Sequence, residues 1–188
     1  MKNLKTIALS LFALLALSTF GQTKTVDVAG SSINWVGKKV TGEHSGTINV
    51  KSGTLIFKKT ILAGGTISVD MTTINTTDIK DAKGKANLDG HLKADDFFGT
   101  ANYPTAVIVF KKIATKPNGV YTITADLTIK GTTDKIVFDM TTTANTATTS
   151  LKVDRTKYGI KYSSGNFFKD LGDKVISDEF ELNVALKF

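Results

Sequence analysis

Two histidines are the only side chains of this sequence that suggest a metal site. His44 lies in the segment Gly-Glu-His-Ser-Gly, and His91 lies close to three acidic residues, Asp89, Asp95 and Asp96. The sequence has no H-x-H or H-E-x-x-H motif and no cysteine, which are the patterns that commonly supply zinc ligands. The spacing therefore predicts no metal and no cofactor, and it favours a hydrogen-bonded structural role for both histidines.

Motifs for nucleophilic catalysis are also missing from the sequence. There is no G-x-S-x-G motif, no cysteine thiol, and no glycine-rich phosphate loop that ends in Lys-Ser or Lys-Thr. The pair Asp95-Asp96 could pass for a paired-carboxylate site, but adjacent residues point apart in regular structure, which favours a cap or a turn. The residues therefore do not indicate an enzyme.

Arg155 is the one arginine among the 24 lysine and arginine residues of the chain. It ends a predicted strand and begins a long segment that is rich in aromatic residues. A guanidinium in this place could hold a diphosphate or carboxylate headgroup through two hydrogen bonds. It could equally form an ion pair with a nearby carboxylate and pin the segment. The second role is commoner for a single arginine, and the sequence alone leaves both open.

Strands with one apolar face must position these residues, because alternation of apolar and polar residues dominates the chain. It is clearest over residues 121–129 and 180–188. Short turn signals separate eight or nine such runs, and short connections imply antiparallel neighbours. We expect an all-β fold, an antiparallel barrel of about eight strands with one short helical insert, because closure removes the exposed edges. A packed two-sheet sandwich without a cavity is the alternative.

Two connections are longer than the others. The first runs from Thr73 to Tyr103, and its spacing predicts a short or broken helix that is capped by Asp78, weakened by two glycines, and ended by the aromatic pair Phe97-Phe98. The second runs from Thr156 to Lys174 and carries Tyr158, Tyr162, Phe167, Phe168 and Leu171 among Gly and Ser. Such a segment either folds over a barrel mouth or packs as a small satellite core.

The N-terminus has the pattern of a cleaved signal peptide. Lys2 and Lys5 precede an apolar run over residues 7–17, and small residues at Thr19 and Gly21 predict cleavage before Gln22. The run is short for a membrane span, although an uncleaved anchor is the alternative. The expected product is one domain, residues 22–188, in the periplasm or secreted, and it has no cysteine for disulfides.

The net charge of +7 comes almost entirely from lysine. The lysines are spread over strand edges and turns, whereas nucleic-acid readers usually cluster Lys and Arg on one face. This distribution favours a solvated surface with protected strand edges over attraction to anionic lipid headgroups. We therefore expect no nucleic-acid partner and no stable membrane span. The oligomeric state stays open, with a homodimer as one option.

Five segments, taken in order, resemble the YceI-like lipid- and polyisoprenoid-binding family. They are Ser32-Ile33-Asn34-Trp35 with Gly37, the glycines Gly46 and Gly53, Leu88 to Phe98 with Tyr103-Pro104, Leu127 to Gly131, and Arg155-x-x-Tyr158-Gly159. In the last motif the family usually has phenylalanine or tryptophan at the position of Tyr158, so this sequence differs there by one aromatic residue. The resemblance implies a lipocalin-like barrel with a long apolar cavity that binds an isoprenoid or a fatty amphiphilic lipid in the periplasm.

The combined interpretation is a carrier without catalytic activity. The predicted ligand-binding residues are the inward side chains of the strands with a few from the two long connections: Ile33, Trp35, Leu55, Phe57, Ile67, Val69, His91, Phe97, Phe98, Ile108, Phe110, Ile123, Leu127, Ile129, Phe138, Arg155, Phe167, Phe168, Leu182, Val184 and Leu186. Of these, the four phenylalanines of the connections are expected at the mouths. One alternative is a packed structural or stress-related barrel without ligand. Another is a redox accessory that acts on an isoprenoid quinone through His44, His91 or Tyr121.

Overall fold

The computed structural model describes residues 21–188. The expected signal peptide therefore lies outside the described residues, except for Gly21. Residues 21–188 contain nine strands: β1 (Gln22–Thr25), β2 (Asp27–Lys39), β3 (Gly42–Lys58), β4 (Ile61–Thr76), β5 (Thr105–Thr115), β6 (Val120–Ile129), β7 (Thr132–Thr142), β8 (Thr146–Asp154) and β9 (Ile176–Lys187). The α-helix of this part of the chain, α1 (Ala82–Lys93), lies between β4 and β5.

The strands close into one antiparallel barrel. Their order is β1-β3-β2-β9-β8-β7-β6-β5-β4, and a further pairing of β3 with β4 joins the two ends of the sheet. One edge of β3 pairs with β2 over its first half and with β1 over its second half, so β1 and β2 together occupy one position. The barrel consequently has eight positions, which confirms the expected all-β antiparallel barrel with one short helical insert and excludes the sandwich.

The alternation in the sequence is the alternation between the inside and the outside of the barrel. Along β6, Tyr121, Ile123, Ala125 and Leu127 are buried, and the residues between them are half-buried. Threonine is frequent on the outer face, where a β-branched side chain packs well on the pleated surface.

The two ends of the barrel differ. The plug end, as we call it, is filled by buried side chains from the end of β3 and the starts of β4 and β6: Leu55, Phe57, Leu62, Tyr121 and Ile123. The Leu62 amide donates to the Tyr121 hydroxyl at 3.3 Å, which satisfies a polar group inside this packing. The helix end, as we call the opposite end, carries α1 and the long β8–β9 connection.

Helix α1 differs in its boundaries from the expected helix. Its N-cap is Asp81, whose carboxylate accepts from the Gly84 amide at 2.6 Å, so the prediction of Asp78 as the cap was wrong. Asp78 instead accepts from the Ser45 amide and contacts His44, at 3.1 and 2.9 Å. Both aspartates suit a cap by type, and only the contact with β3 distinguishes them.

The helix also ends earlier than predicted. It stops at Lys93, and Phe97-Phe98 follow in a turn in which the Phe97 amide donates to the Ala94 carbonyl at 3.0 Å. Two glycines do not break the helix. Tertiary contacts support it, because Asp89 accepts from the Thr76 amide at 2.7 Å and pairs with Lys85.

One place in the barrel wall has few backbone hydrogen bonds. β7 and β8 pair only at Thr141–Thr148 and Thr142–Ala147, near the plug end. Towards the helix end, residues 132–140 of β7 and 149–154 of β8 face each other without ladder pairing, and we call this region the β7–β8 seam. The Thr149 hydroxyl donates to the Asp139 carbonyl at 2.6 Å, and Lys157 and Asp134 form an ion pair at 3.4 Å across the seam.

An apolar cavity beneath the helix end

The barrel encloses a cavity of about 180 Å³ above the packed plug. Apolar side chains form most of its wall, from strands on every side and from the α1 connection. Its polar lining residues are few: Lys38, Thr149, Arg155, Ser177 and Glu179. All except Thr149 come from strand ends at the helix end, where β2 and β8 finish and β9 begins. The cavity is thus apolar in its depth and polar at one end.

Most of the residues predicted from sequence to bind a ligand line this cavity. They are Ile33, Trp35, Ile67, Val69, Phe97, Phe98, Ile108, Phe110, Leu127, Ile129, Phe138, Arg155, Leu182, Val184 and Leu186. Trp35 is held by a hydrogen bond from its indole Nε1 to the Thr47 carbonyl at 3.2 Å. Its ring therefore has a defined orientation on the cavity wall.

Six predicted residues lie elsewhere. Leu55, Phe57 and Ile123 belong to the plug, where neighbouring side chains cover them. His91 packs at the helix end without lining the cavity. Phe167 and Phe168 are each 49% exposed on the outer surface. The alternation places a side chain inside the barrel correctly, but it does not say how deep along the axis that side chain lies.

Other lining residues were not predicted: Ile48, Met71, Ile74, Leu92, Ala106, Ile136, Met140, Leu151, Ile176 and Phe180. A signal for five of them was present. Met71 alternates in phase with Val69, Ala106 with Ile108, Ile136 and Met140 with Phe138, and Phe180 with Leu182. Ile74 is harder to predict, since the β3–β4 register shifts near it, between Thr47 and Asn49.

Arg155 is 2% exposed and lies at the polar end of the cavity. Its Nε, Nη1 and Nη2 atoms donate to the carbonyls of Ser177, Ile160 and Ile176 at 3.0, 2.9 and 3.0 Å. Nη2 also approaches a carboxylate oxygen of Asp178 at 3.5 Å. Burial lowers the pKa of Arg155, and the charges of Asp178 and Asp154 oppose that shift. The geometry is that of a cation that holds the two ends of the β8–β9 connection together.

Aromatic rings close the helix end around this arginine. The ring centroids of Phe97 and Phe98 are 5.1 Å apart, and Phe98 meets Phe180 edge to face at 6.0 Å. His91 lies between Phe97 and Tyr162, with centroid distances of 5.4 and 4.5 Å. His91 therefore joins α1 to the β8–β9 connection through its ring faces and edges.

The three candidate residues for acid–base chemistry are all placed away from the cavity. His44 contacts Asp78 near the surface, and His91 packs within the aromatic group. Tyr121 accepts a hydrogen bond inside the plug. Among residues 21–188, no group of three or more His, Cys, Asp or Glu side chains is arranged to hold a metal ion.

Tyr158 is 1% exposed beside the β7–β8 seam. Its hydroxyl has no hydrogen-bond partner among the described residues. Burial raises the pKa of Tyr158 to about 12, with further contributions from the negative charges of Asp134 and Asp154. The hydroxyl is consequently a buried polar group that the fold does not satisfy.

Along residues 21–188, the structure contains no helix that combines the length and apolarity needed to cross a membrane.

The sequence and the fold both match known proteins. A family model described as the YceI-like domain matches residues 25–188. A UPF0312 protein of Shewanella denitrificans is 34% identical over 91 residues, an alignment that covers 48% of this chain and 45% of that protein. The chain thus spans less than half the length of this relative.

Two solved structures share the fold. BcnA of Burkholderia cenocepacia has a TM-score of 0.68 and 23% identity, covering 87% of this chain and 99% of that one. A polyisoprenoid binding domain from Saccharophagus degradans, implicated in plant cell wall breakdown, has a TM-score of 0.59 and 16% identity, covering 87% and 95%.

Proposed function

The chain belongs to the YceI-like domain family, and on that premise we propose that it is a binding protein that holds a polyisoprenoid or another amphiphilic lipid in its cavity. It has no catalytic role in this proposal. The protein acts in the periplasm or after secretion, where it shields the apolar chain of its ligand from water.

The distribution of polarity along the cavity carries this proposal. The deep wall is apolar, and Lys38, Arg155, Ser177 and Glu179 all lie at the helix end. An amphiphile with an apolar chain and a polar head matches this gradient when its chain points towards the plug. Burial of the chain then supplies most of the binding free energy, at about 25 cal/mol per Å² of apolar surface. The binding of polyisoprenoid by a domain of the same fold supports this choice of ligand class.

The two alternative functions have less support. A barrel packed solid would leave no space, whereas this one has a cavity of about 180 Å³. The redox accessory expected from the sequence would act through His44, His91 or Tyr121, and none of these three residues lines the cavity.

The expected location rests on the predicted signal peptide, and the mass of the exported protein tests it. Protein recovered from its native host should begin at Gln22, with pyroglutamate formation taken into account. A protein that retains residues 1–21 would contradict cleavage at this site and weaken the periplasmic assignment.

Trp35 gives a direct test of binding, because it is the one tryptophan of the chain and it lines the cavity. Titration with farnesol and then geranylgeraniol should change its fluorescence saturably, with tighter binding of the longer alcohol by about 0.8 kcal/mol for each CH₂ that becomes buried. Mass spectrometry of a solvent extract of the purified protein would identify the natural ligand.

A matched pair of variants tests whether the ligand occupies the cavity. Val184 lines the cavity, and its neighbour Asn183 is exposed on the outside of β9. We expect Val184→Phe to weaken geranylgeraniol binding about tenfold or more by filling the space, and Asn183→Phe to leave it unchanged. Equal effects of the two substitutions, or no binding of any long-chain lipid by the parent protein, would rule the proposal out.

A further inference from the structure

Exposed aromatic residues are concentrated at the helix end of the barrel. Four aromatic side chains of the described residues are exposed by 40% or more: Tyr103, Tyr162, Phe167 and Phe168. Tyr103 lies beside the β6–β7 turn, in contact range of Gly131, and the other three belong to the β8–β9 connection. Two adjacent phenylalanines with half of their surface in water require a physical reason, since single exposed apolar residues are common but a contiguous group is not.

The segment that carries these phenylalanines is held firmly at its base. The Phe168 amide donates to the carbonyl of buried Ser164 at 2.9 Å, and the Ile176 amide donates to the Ser163 carbonyl at 2.9 Å. Asn166 donates from its side chain to Asp178 at 2.7 Å. The two rings are therefore presented outward by an ordered turn, so little conformational freedom is lost when they bind.

The neighbouring surface adds an aliphatic side chain and positive charge. Val40 is 65% exposed, and its amide donates to the Val175 carbonyl at 3.2 Å, which places the β2–β3 turn against the same segment. The Lys161 ammonium lies 4.4 Å from the centroid of the Phe167 ring. Lys39, Lys169 and Lys174 are exposed nearby in the chain, whereas the connection itself contributes two exposed acids, Asp170 and Asp173.

We propose that this surface, formed by Val40, Tyr162, Phe167 and Phe168 and flanked by Lys161 and Lys169, docks on the surface of an anionic lipid bilayer. Aromatic rings partition into the interface between headgroups and chains, and lysines beside them are attracted to anionic lipids. A protein partner fits less well, because interfaces between proteins are depleted in lysine. The proposal rests on the proposed function for its purpose: docking brings the polar end of the cavity to the membrane from which a lipid is taken.

Cosedimentation with vesicles tests the docking without any cavity ligand. The protein used begins at Gln22, since the closed barrel lies within residues 22–188 and the apolar run at 7–17 would bind vesicles by itself. It should bind vesicles of phosphatidylcholine with phosphatidylglycerol, bind phosphatidylcholine alone much more weakly, and lose binding as salt is raised. Phe167→Ser with Phe168→Ser should reduce partitioning about tenfold or more, and Lys161→Gln or Lys169→Gln should each reduce it roughly fivefold.

Matched controls come from β7, on the side of the barrel. Val137 is 63% exposed and Lys135 is exposed two residues before it. Val137→Ser and Lys135→Gln should leave vesicle binding unchanged. The Trp35 response to geranylgeraniol should persist in the double phenylalanine variant, because neither ring lines the cavity. If geranylgeraniol does not change the Trp35 fluorescence of the parent protein, the proposed lipid-binding function is contradicted. Vesicle cosedimentation tests the docking proposal independently of that result.

Three results would overturn the docking proposal. The first is absence of binding to anionic vesicles by the parent protein, and the second is an equal loss in the β7 controls. The third is that the double phenylalanine substitution converts a dimer into a monomer but leaves vesicle binding unchanged. This surface would then be an interface between two copies of the chain.

Discussion

The guanidinium carbon of Arg155 lies 5.7 Å from the centre of the Phe97 ring. Arg155 begins the β8–β9 connection, and Phe97 belongs to the β4–β5 connection that contains α1. A cation over an aromatic face is attracted to it, more strongly when both are buried. The two long connections therefore meet at this contact, and together they cover the cavity at the helix end.

Arg155→Met is expected to lower the free energy of unfolding by about 3 kcal/mol or more, because it leaves several main-chain carbonyls without their donors. Urea unfolding measures this change. Lys157→Met is the control: Lys157 is exposed and its ion pair with Asp134 is worth about 1 kcal/mol or less. The destabilised protein should bind isoprenoid alcohols and diphosphates less well to a similar degree. A loss confined to diphosphates, with unchanged stability, would instead make Arg155 a headgroup ligand.

Tyr158→Phe is expected to be neutral or to stabilise the protein by about 1 kcal/mol, because it removes a buried hydroxyl that has no partner among the described residues. The variant also has phenylalanine, one of the two residues that are usual at this position in the family motif. Thermal unfolding of the two proteins at neutral pH makes the comparison. A clear loss of stability would show that the hydroxyl has a partner, such as a bound water.

Tyr158 also predicts a loss of stability at alkaline pH. Its pKa in the folded protein is raised to about 12 from 10.0. Above pH 10.0 the unfolded chain releases the proton while the folded protein retains it, so the free energy of unfolding falls as the pH rises through this window. Urea unfolding across the window should show a smaller decrease for Tyr158→Phe than for the parent protein. Parallel curves would contradict the raised pKa.

Ile123→Ala and Leu127→Ala compare two positions on the inner face of the same strand. Ile123 is fully buried in the plug, whereas Leu127 lines the cavity. We expect Ile123→Ala to cost about 2–5 kcal/mol. Leu127→Ala should cost at least about 1 kcal/mol less, since its side chain already lacks packing partners on one side. Chemical denaturation gives both values. Equal costs would mean that the space beside Leu127 is filled.

The β7–β8 seam predicts a pattern of hydrogen exchange. β6 pairs along its length with both β5 and β7, so its amides at 122–128 should all be protected. In β7, amides at 133–139 that point towards β8 lack ladder partners, and protection should alternate from residue to residue. Residue-resolved exchange measured by NMR tests this expectation. Uniform protection along β7 would show that the seam is closed by backbone hydrogen bonds in solution.

The sequence alone was sufficient for an antiparallel β fold and for which side chains of its strands face inward, whereas the pairing of β3 with β4 excluded the sandwich. Period-two alternation is a local property of a strand, and it identifies the inner face of β6 and β9 without knowledge of any partner strand. The position of a side chain along the barrel axis is not local. Ile123 and Leu127 have the same pattern in sequence, yet one lies in the plug and the other on the cavity wall. Strand register and closure decide that difference.

Tertiary contacts also decided the identity of the helix cap and the role of the arginine. Asp78 and Asp81 are equally good caps by residue type, and only the docking of Asp78 on Ser45 leaves Asp81 to begin the helix. Arg155 meets the carbonyls of Ile176 and Ser177 because the chain returns to it after the β8–β9 connection. Hydrogen bonds between residues this far apart in sequence depend on the folded path of the chain, which no local pattern encodes.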